Sequence, residues 1–97
     1  MGTQVLTVLE ASLPEDRWAV LVEAYRAGMV DLPPQIVRTT LVQGREDRNL
    51  WRMETLWTSL EGLQQYRDSV DVPGGIANFR AAGTEPHLTV FEVVAEA

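Results

Sequence analysis

The chain has 97 residues, no cysteine and a formal net charge of −6, set by 14 acidic side chains against eight arginines and no lysine. That length suits one domain spanning residues 1–97. The absent thiols exclude disulfides, thiolate metal sites and cysteine nucleophiles, and the scattered acidic charge argues against nucleic acid or an anionic membrane as partner. No apolar run approaches the roughly 20 residues of a membrane span and no basic patch precedes an apolar core at the start, so a cytoplasmic protein is expected.

Val5-Leu6-Thr7-Val8-Leu9-Glu10-Ala11 is β-branched and apolar and predicts the first strand. Ser12-Leu13-Pro14-Glu15 has capping-box spacing with an early proline. Trp18, Leu21, Val22, Tyr25 and Met29 then mark one face of an amphipathic helix, which Pro33-Pro34 ends. Ile36 to Gln43 predicts the second strand and Gly44 to Asn49 a polar turn. Leu50 to Trp57 predicts the third strand, so the two strands form a hairpin. On the third strand Trp51, Met53, Thr55 and Trp57 share one face, and Leu50, Arg52, Glu54 and Leu56 share the other.

Thr58-x-x-Glu61 again has capping-box spacing and predicts a helix to about Ser69. Ile76 to Ala82 predicts a short helix closed by Gly83 in a left-handed cap. Leu88 to Val94 predicts the last strand, apolar on both faces apart from Thr89 and Glu92, and so largely buried. The order β-α-β-β-α-β predicts an α+β, ferredoxin-like fold: a four-stranded antiparallel sheet with helices on one face. The last strand, Leu50 and Leu56 ask for cover on the other face. A second copy packing sheet to sheet would supply it, so a two-fold homodimer is expected.

The strand ending Glu54-Thr55-Leu56-Trp57, with the following Ser59-Leu60-Glu61-Gly62-Leu63-Gln64-Gln65-Tyr66 and the element order, resembles the antibiotic biosynthesis monooxygenase-like domains. The resemblance covers nearly the whole chain and implies a dimeric α+β barrel. It also implies a cofactor-independent monooxygenase acting on a small aromatic or polyketide-like molecule, so no cofactor is expected. Some relatives degrade haem, with an asparagine, a tryptophan and a histidine acting together. Trp57 matches the tryptophan, the first strand has no asparagine, and Tyr66 stands where several members carry a histidine.

Trp57 and Tyr66 are therefore the candidate catalytic residues. Trp51, Met53 and Trp57 are candidates to line an apolar pocket for a flat aromatic ligand; the alternative is plain core packing. Tyr25, Asn78 and Phe79 complete the candidate ligand-binding set, with Arg80 expected to flank it. Tyr66 is a candidate hydrogen-bond donor to a substrate oxygen, or an acid or base, although an ordinary phenol is poorly matched to neutral pH; the alternative is a helix tyrosine at the pocket rim or surface. Arg38, Arg52 and Glu54 are expected inside the dimer barrel, paired because unpaired burial is costly. They read either as an ion pair fixing dimer register or as a polar site in the lumen. A lone histidine, His87, makes no metal site. A non-catalytic homodimer that binds a small hydrophobic ligand, or a structural domain with a filled pocket, remains the alternative to an enzyme.

Overall fold

A computed structural model describes residues 3–96. Strand β1 (Val5–Ser12) buries Val5, Thr7, Leu9 and Ala11, while the residues between them stay half-exposed or exposed. That alternation is the mark of a sheet covered by helices on one face. Ser12 closes β1 opposite Leu50, so the capping box expected at Ser12–Glu15 does not form. Pro14 is extended instead, and the chain enters helix α1 (Trp18–Gly28) through a single 3-10 turn, Glu15–Arg17, with no side-chain cap. The Trp18 indole N–H donates to the Leu13 carbonyl at 2.9 Å and pins the helix start to the strand end.

Helix α1 runs into a second 3-10 turn, Met29–Asp31, before strand β2 (Ile36–Gln43) and strand β3 (Leu50–Trp57). The turn between them is closed by Gly44 N–H to the Leu50 carbonyl at 2.7 Å, and the Asp47 carboxylate accepts from Asn49 N–H at 3.1 Å. Helix α2 (Leu60–Ser69) is capped by Ser59, whose hydroxyl accepts from Gly62 N–H at 3.0 Å. The cap thus lies one residue beyond the expected Thr58, whose own N–H is committed to the Gln35 carbonyl at 2.9 Å. Helix α3 (Gly74–Ala81) begins two residues earlier than the sequence suggests and ends as expected, with Gly83 at φ +89°. Only glycine takes that backbone conformation without strain.

Strand β4 (His87–Glu92) completes an antiparallel sheet of order β2-β3-β1-β4. The fold is the expected ferredoxin-like α+β arrangement. Within the single chain the last strand is not largely buried, contrary to what its apolar pattern suggests. It is an edge strand whose sheet neighbour is β1, and Phe91 and Val90 are 50% and 42% exposed. The helices pack over the central strands instead, α3 on β1 and α2 on β3.

Register places side chains in rows across the helix-covered face. Thr39, Thr55, Thr7 and Val90 form one row, and Leu41, Met53, Leu9 and Leu88 the next. On the open face Arg38, Leu56, Leu6 and Phe91 form one row, and Val42, Arg52, Glu10 and His87 another. Two core clusters lie under the helices. One gathers Leu9, Leu13, Leu21, Trp51, Met53 and Phe79, and the other Val5, Trp57 and Leu63. Gly75 lies so close to the sheet that a Cβ there would meet Leu9 Cδ1 at 2.6 Å and Met53 Sδ at 3.0 Å. Glycine at this position is what lets α3 settle on the first cluster.

Candidate functional site

A cavity of about 220 Å³ opens between the two core clusters. Its floor is sheet: Thr7, Leu9, Thr39, Met53, Thr55 and Trp57. Its roof is helical: Tyr25 from α1, Leu63 and Tyr66 from α2, and Gly74, Ile76 and Asn78 from α3. Asp31 and Arg67 add one charge of each sign to an otherwise mostly apolar lining. Apolar walls with a few placed polar groups are the usual make-up of small-molecule sites.

The polar groups are held in defined positions. The Trp57 indole N–H donates to the Thr7 hydroxyl at 2.9 Å, a buried bond that fixes the ring plane. The Thr39 and Thr55 hydroxyls are 3.1 Å apart and share a hydrogen bond. On the roof the Tyr66 ring lies 5.2 Å from that of Trp57, tilted by 42°. The Tyr66 hydroxyl accepts from Gly74 N–H at 2.8 Å, tying α2 to the first residue of α3. In the orientation its neighbours require, the Asn78 amide donates to the carbonyls of Gly74 and Ala24, at 3.3 Å each, so it braces α3 on α1.

Of the residues singled out from sequence, Trp57, Tyr66, Met53, Tyr25 and Asn78 come together at the cavity. Trp51 and Phe79 do not line it. Trp51 is 6% exposed and packs edge-on against Trp18 at a ring distance of 6.1 Å, and Phe79 is fully buried. Both serve the first core cluster, because the sheet end at Trp51 is roofed directly by α1 and α3. The Trp51 indole N–H has no partner among the described residues. Arg80 also lies away from the cavity, paired with exposed Glu85 on the link to β4. This pairing, chiefly its hydrogen bond, holds the Glu85 carboxyl below the usual range and raises Arg80.

Arg38, Arg52 and Glu54 lie on the open face of the sheet. Arg52 pairs with Glu10 across the strand at 3.2 Å, a partner the sequence reading did not name. His87 is exposed at the start of β4, on that same open face. Among the described residues no three His, Asp or Glu side chains gather to hold a metal. Sequence reasoning missed Thr7, Thr39, Leu63 and Arg67 as lining residues. Alternation along β3 puts Thr55 on the cavity face, as the sequence predicts. Only strand register, which aligns it with Thr7 and Thr39, reveals the hydroxyl row.

No protein-family model matches the chain, and no curated protein matches it. Solved structures do. A haem-degrading protein of Mycobacterium tuberculosis superposes with TM-score 0.73 at 20% identity, covering 100% of this chain and 98% of its own. A protein of Chloroflexus aurantiacus, provisionally named an antibiotic biosynthesis monooxygenase, gives 0.69 at 11% identity over 98% and 97%. SnoaB, a cofactor-independent oxygenase of Streptomyces nogalater, gives 0.59 at 17% identity over 99% and 96%. At these identities the likeness is one of fold. Element order, sheet order and these superpositions agree: the chain has the antibiotic biosynthesis monooxygenase-like fold.

Proposed function

We propose that the protein binds a compact aromatic molecule in the cavity beside Trp57 and oxygenates it with molecular oxygen, without a bound cofactor. The observation that carries this reading is the cavity itself. It stays open between two packed clusters, with an immobilised indole on its floor and a phenol hydroxyl on its roof. The ring pair Trp57–Tyr66 offers a stacking surface for a flat substrate. The neighbours of this fold that are named as oxygenases support the same chemistry.

The chain's own residues would orient the substrate, exclude water from it and hydrogen-bond its enolate or phenolate oxygen. Charge developing on that oxygen is stabilised by fixed donors in an apolar site. The substrate anion then reacts with oxygen itself. In an anthrone, one ring CH2 becomes a carbonyl; one oxygen atom enters the product and the other leaves as water. Haem is the weaker substrate reading, since the only histidine in the chain, His87, does not line the cavity.

Oxygen consumption with anthrone and with 1,4-dihydroxynaphthalene tests the proposal. Wild type is expected to accelerate uptake over the buffer rate, and Tyr66→Phe to lower the rate by about a hundredfold to a thousandfold, the span of a lost transition-state hydrogen-bond donor. No acceleration by wild type contradicts it.

We further propose that two copies pair through their open sheet faces. The row Arg38–Leu56–Leu6–Phe91 leaves Phe91 half-exposed, and Val42 is 38% exposed on the same face. The cross-strand pair Arg52–Glu10 offers charge that a second sheet could complement. A second reading is a carrier that binds without turnover: among the described residues Asp31 is the one carboxylate lining the cavity, and it is accompanied there by the opposite charge of Arg67.

A further inference from the structure

Arg67 stands in the last turn of α2 and lines the cavity half-buried. Its guanidinium carries several N–H donors and no acceptor, and among the described residues no carboxylate pairs with it. Asp31 lines the same cavity from the 3-10 turn that follows α1, and it too has no ion-pair partner among the described residues. Opposite charges thus reach one mostly apolar cavity from two different elements and form no pair. The turn that carries Asp31 is loosely held. Met29, Val30, Asp31 and Leu32 are all exposed, and Met29 and Leu32 line the cavity while staying 38% and 39% exposed. The floor, by contrast, is buried at Thr7, Thr55 and Trp57. The segment is fixed where it begins and ends: Met29 N–H donates to the Arg26 carbonyl, and Thr58 N–H holds the Gln35 carbonyl at 2.9 Å. Segments with few buried apolar contacts between fixed ends open and close at low cost, and lids are drawn from them.

We propose that residues 29–34 form a lid, and that it closes over the cavity by bringing the Asp31 carboxylate onto the Arg67 guanidinium. Closure gives each charge its partner and turns Met29 and Leu32 from solvent toward the bound molecule, which buries apolar surface. Exclusion of water by the closed lid strengthens the ion pair that latches it. Opening of the latch then sets how fast a bound molecule leaves. The inference rests on the pocket reading above, and it holds whichever molecule the pocket takes and whether or not that molecule is oxygenated.

Stopped-flow release of 1,4-naphthoquinone, a quencher of tryptophan fluorescence, tests the lid. The probe is uncharged, so neither Asp31 nor Arg67 has a charge on it to hold. Asp31→Asn and Arg67→Gln are each expected to speed release about threefold to fivefold, the worth of an ion pair near the surface. Sodium chloride at about 1 M is expected to speed release from wild type and to leave both variants unchanged. Exchange of the two charges, Asp31→Arg with Arg67→Asp, is expected to restore slow release, which a loss of packing would not allow. The chain has no cysteine, so Asp31→Cys with Arg67→Cys supplies a single thiol pair. Oxidation is expected to join the two thiols and to slow release relative to the reduced form. Release from Asp31→Asn at the wild-type rate overturns the lid and leaves the pocket standing. So does an exchanged pair that stays fast, or a thiol pair that does not join or whose joining leaves release unchanged. A wild type that does not bind the probe overturns both.

Discussion

Trp57 and Trp51 occupy the same face of the same strand and have opposite roles. Trp57 has its N–H satisfied by Thr7 and one side open to the cavity. Trp51 is packed by its neighbours, and its N–H has no partner among the described residues. Replacing Trp57 by Phe strands the buried Thr7 hydroxyl without its donor and frees space at the floor. A loss of about 1–3 kcal/mol in unfolding free energy is expected, measured by urea denaturation. The sequence shows that both tryptophans face the helices, because alternation along a strand is legible. It does not show which of them meets a helix and which meets a gap, since that depends on where α1 and α3 cross the sheet. The threonines escaped notice for a related reason. Each is an ordinary strand residue by itself, and the row exists only through the pairings Thr7↔Thr55 and Thr39↔Thr55.

At the scale of elements, helix positions depend on a few close contacts. Gly75 allows α3 to rest on Leu9 and Met53. Gly75→Ala forces the helix away from the sheet and is expected to cost about 1–3 kcal/mol of stability. Because Gly74 and Ile76 form part of the cavity roof, the same change is expected to weaken ligand binding; unchanged unfolding and binding would show that the helix can shift freely. Ser59→Ala removes the α2 cap and is expected to cost about 1 kcal/mol by the same measurement. Caps were only half legible. Both boxes have the right spacing, but Ser12 is held in the sheet and Thr58 donates its backbone N–H to Gln35, so tertiary pairing moved one cap and erased the other.

For the whole molecule, the order of elements sufficed to place the four strands and the helix layer. The apolar pattern of the last strand indicated burial, whereas β4 is an exposed edge in the single chain. Its pattern therefore fits a second copy better than it fits this one. Phe91→Glu puts a charge on the open face of the edge strand, within the proposed sheet-to-sheet contact. Light scattering at micromolar concentration is expected to give twice the 10.8 kDa chain mass for wild type. The variant is expected to shift toward 10.8 kDa. A monomeric wild type contradicts the pairing.

The central claim is that the space beside Trp57 is left for a ligand. The three tryptophan indole N–H signals in a proton–nitrogen NMR spectrum test it most directly. On titration with 1,5-dihydroxynaphthalene, the Trp57 signal is expected to move, together with the methyls of Thr7, Thr55 and Leu63, while those of Trp18 and Trp51 stay in place. A spectrum in which Trp57 does not respond, or in which Trp51 responds instead, contradicts the account.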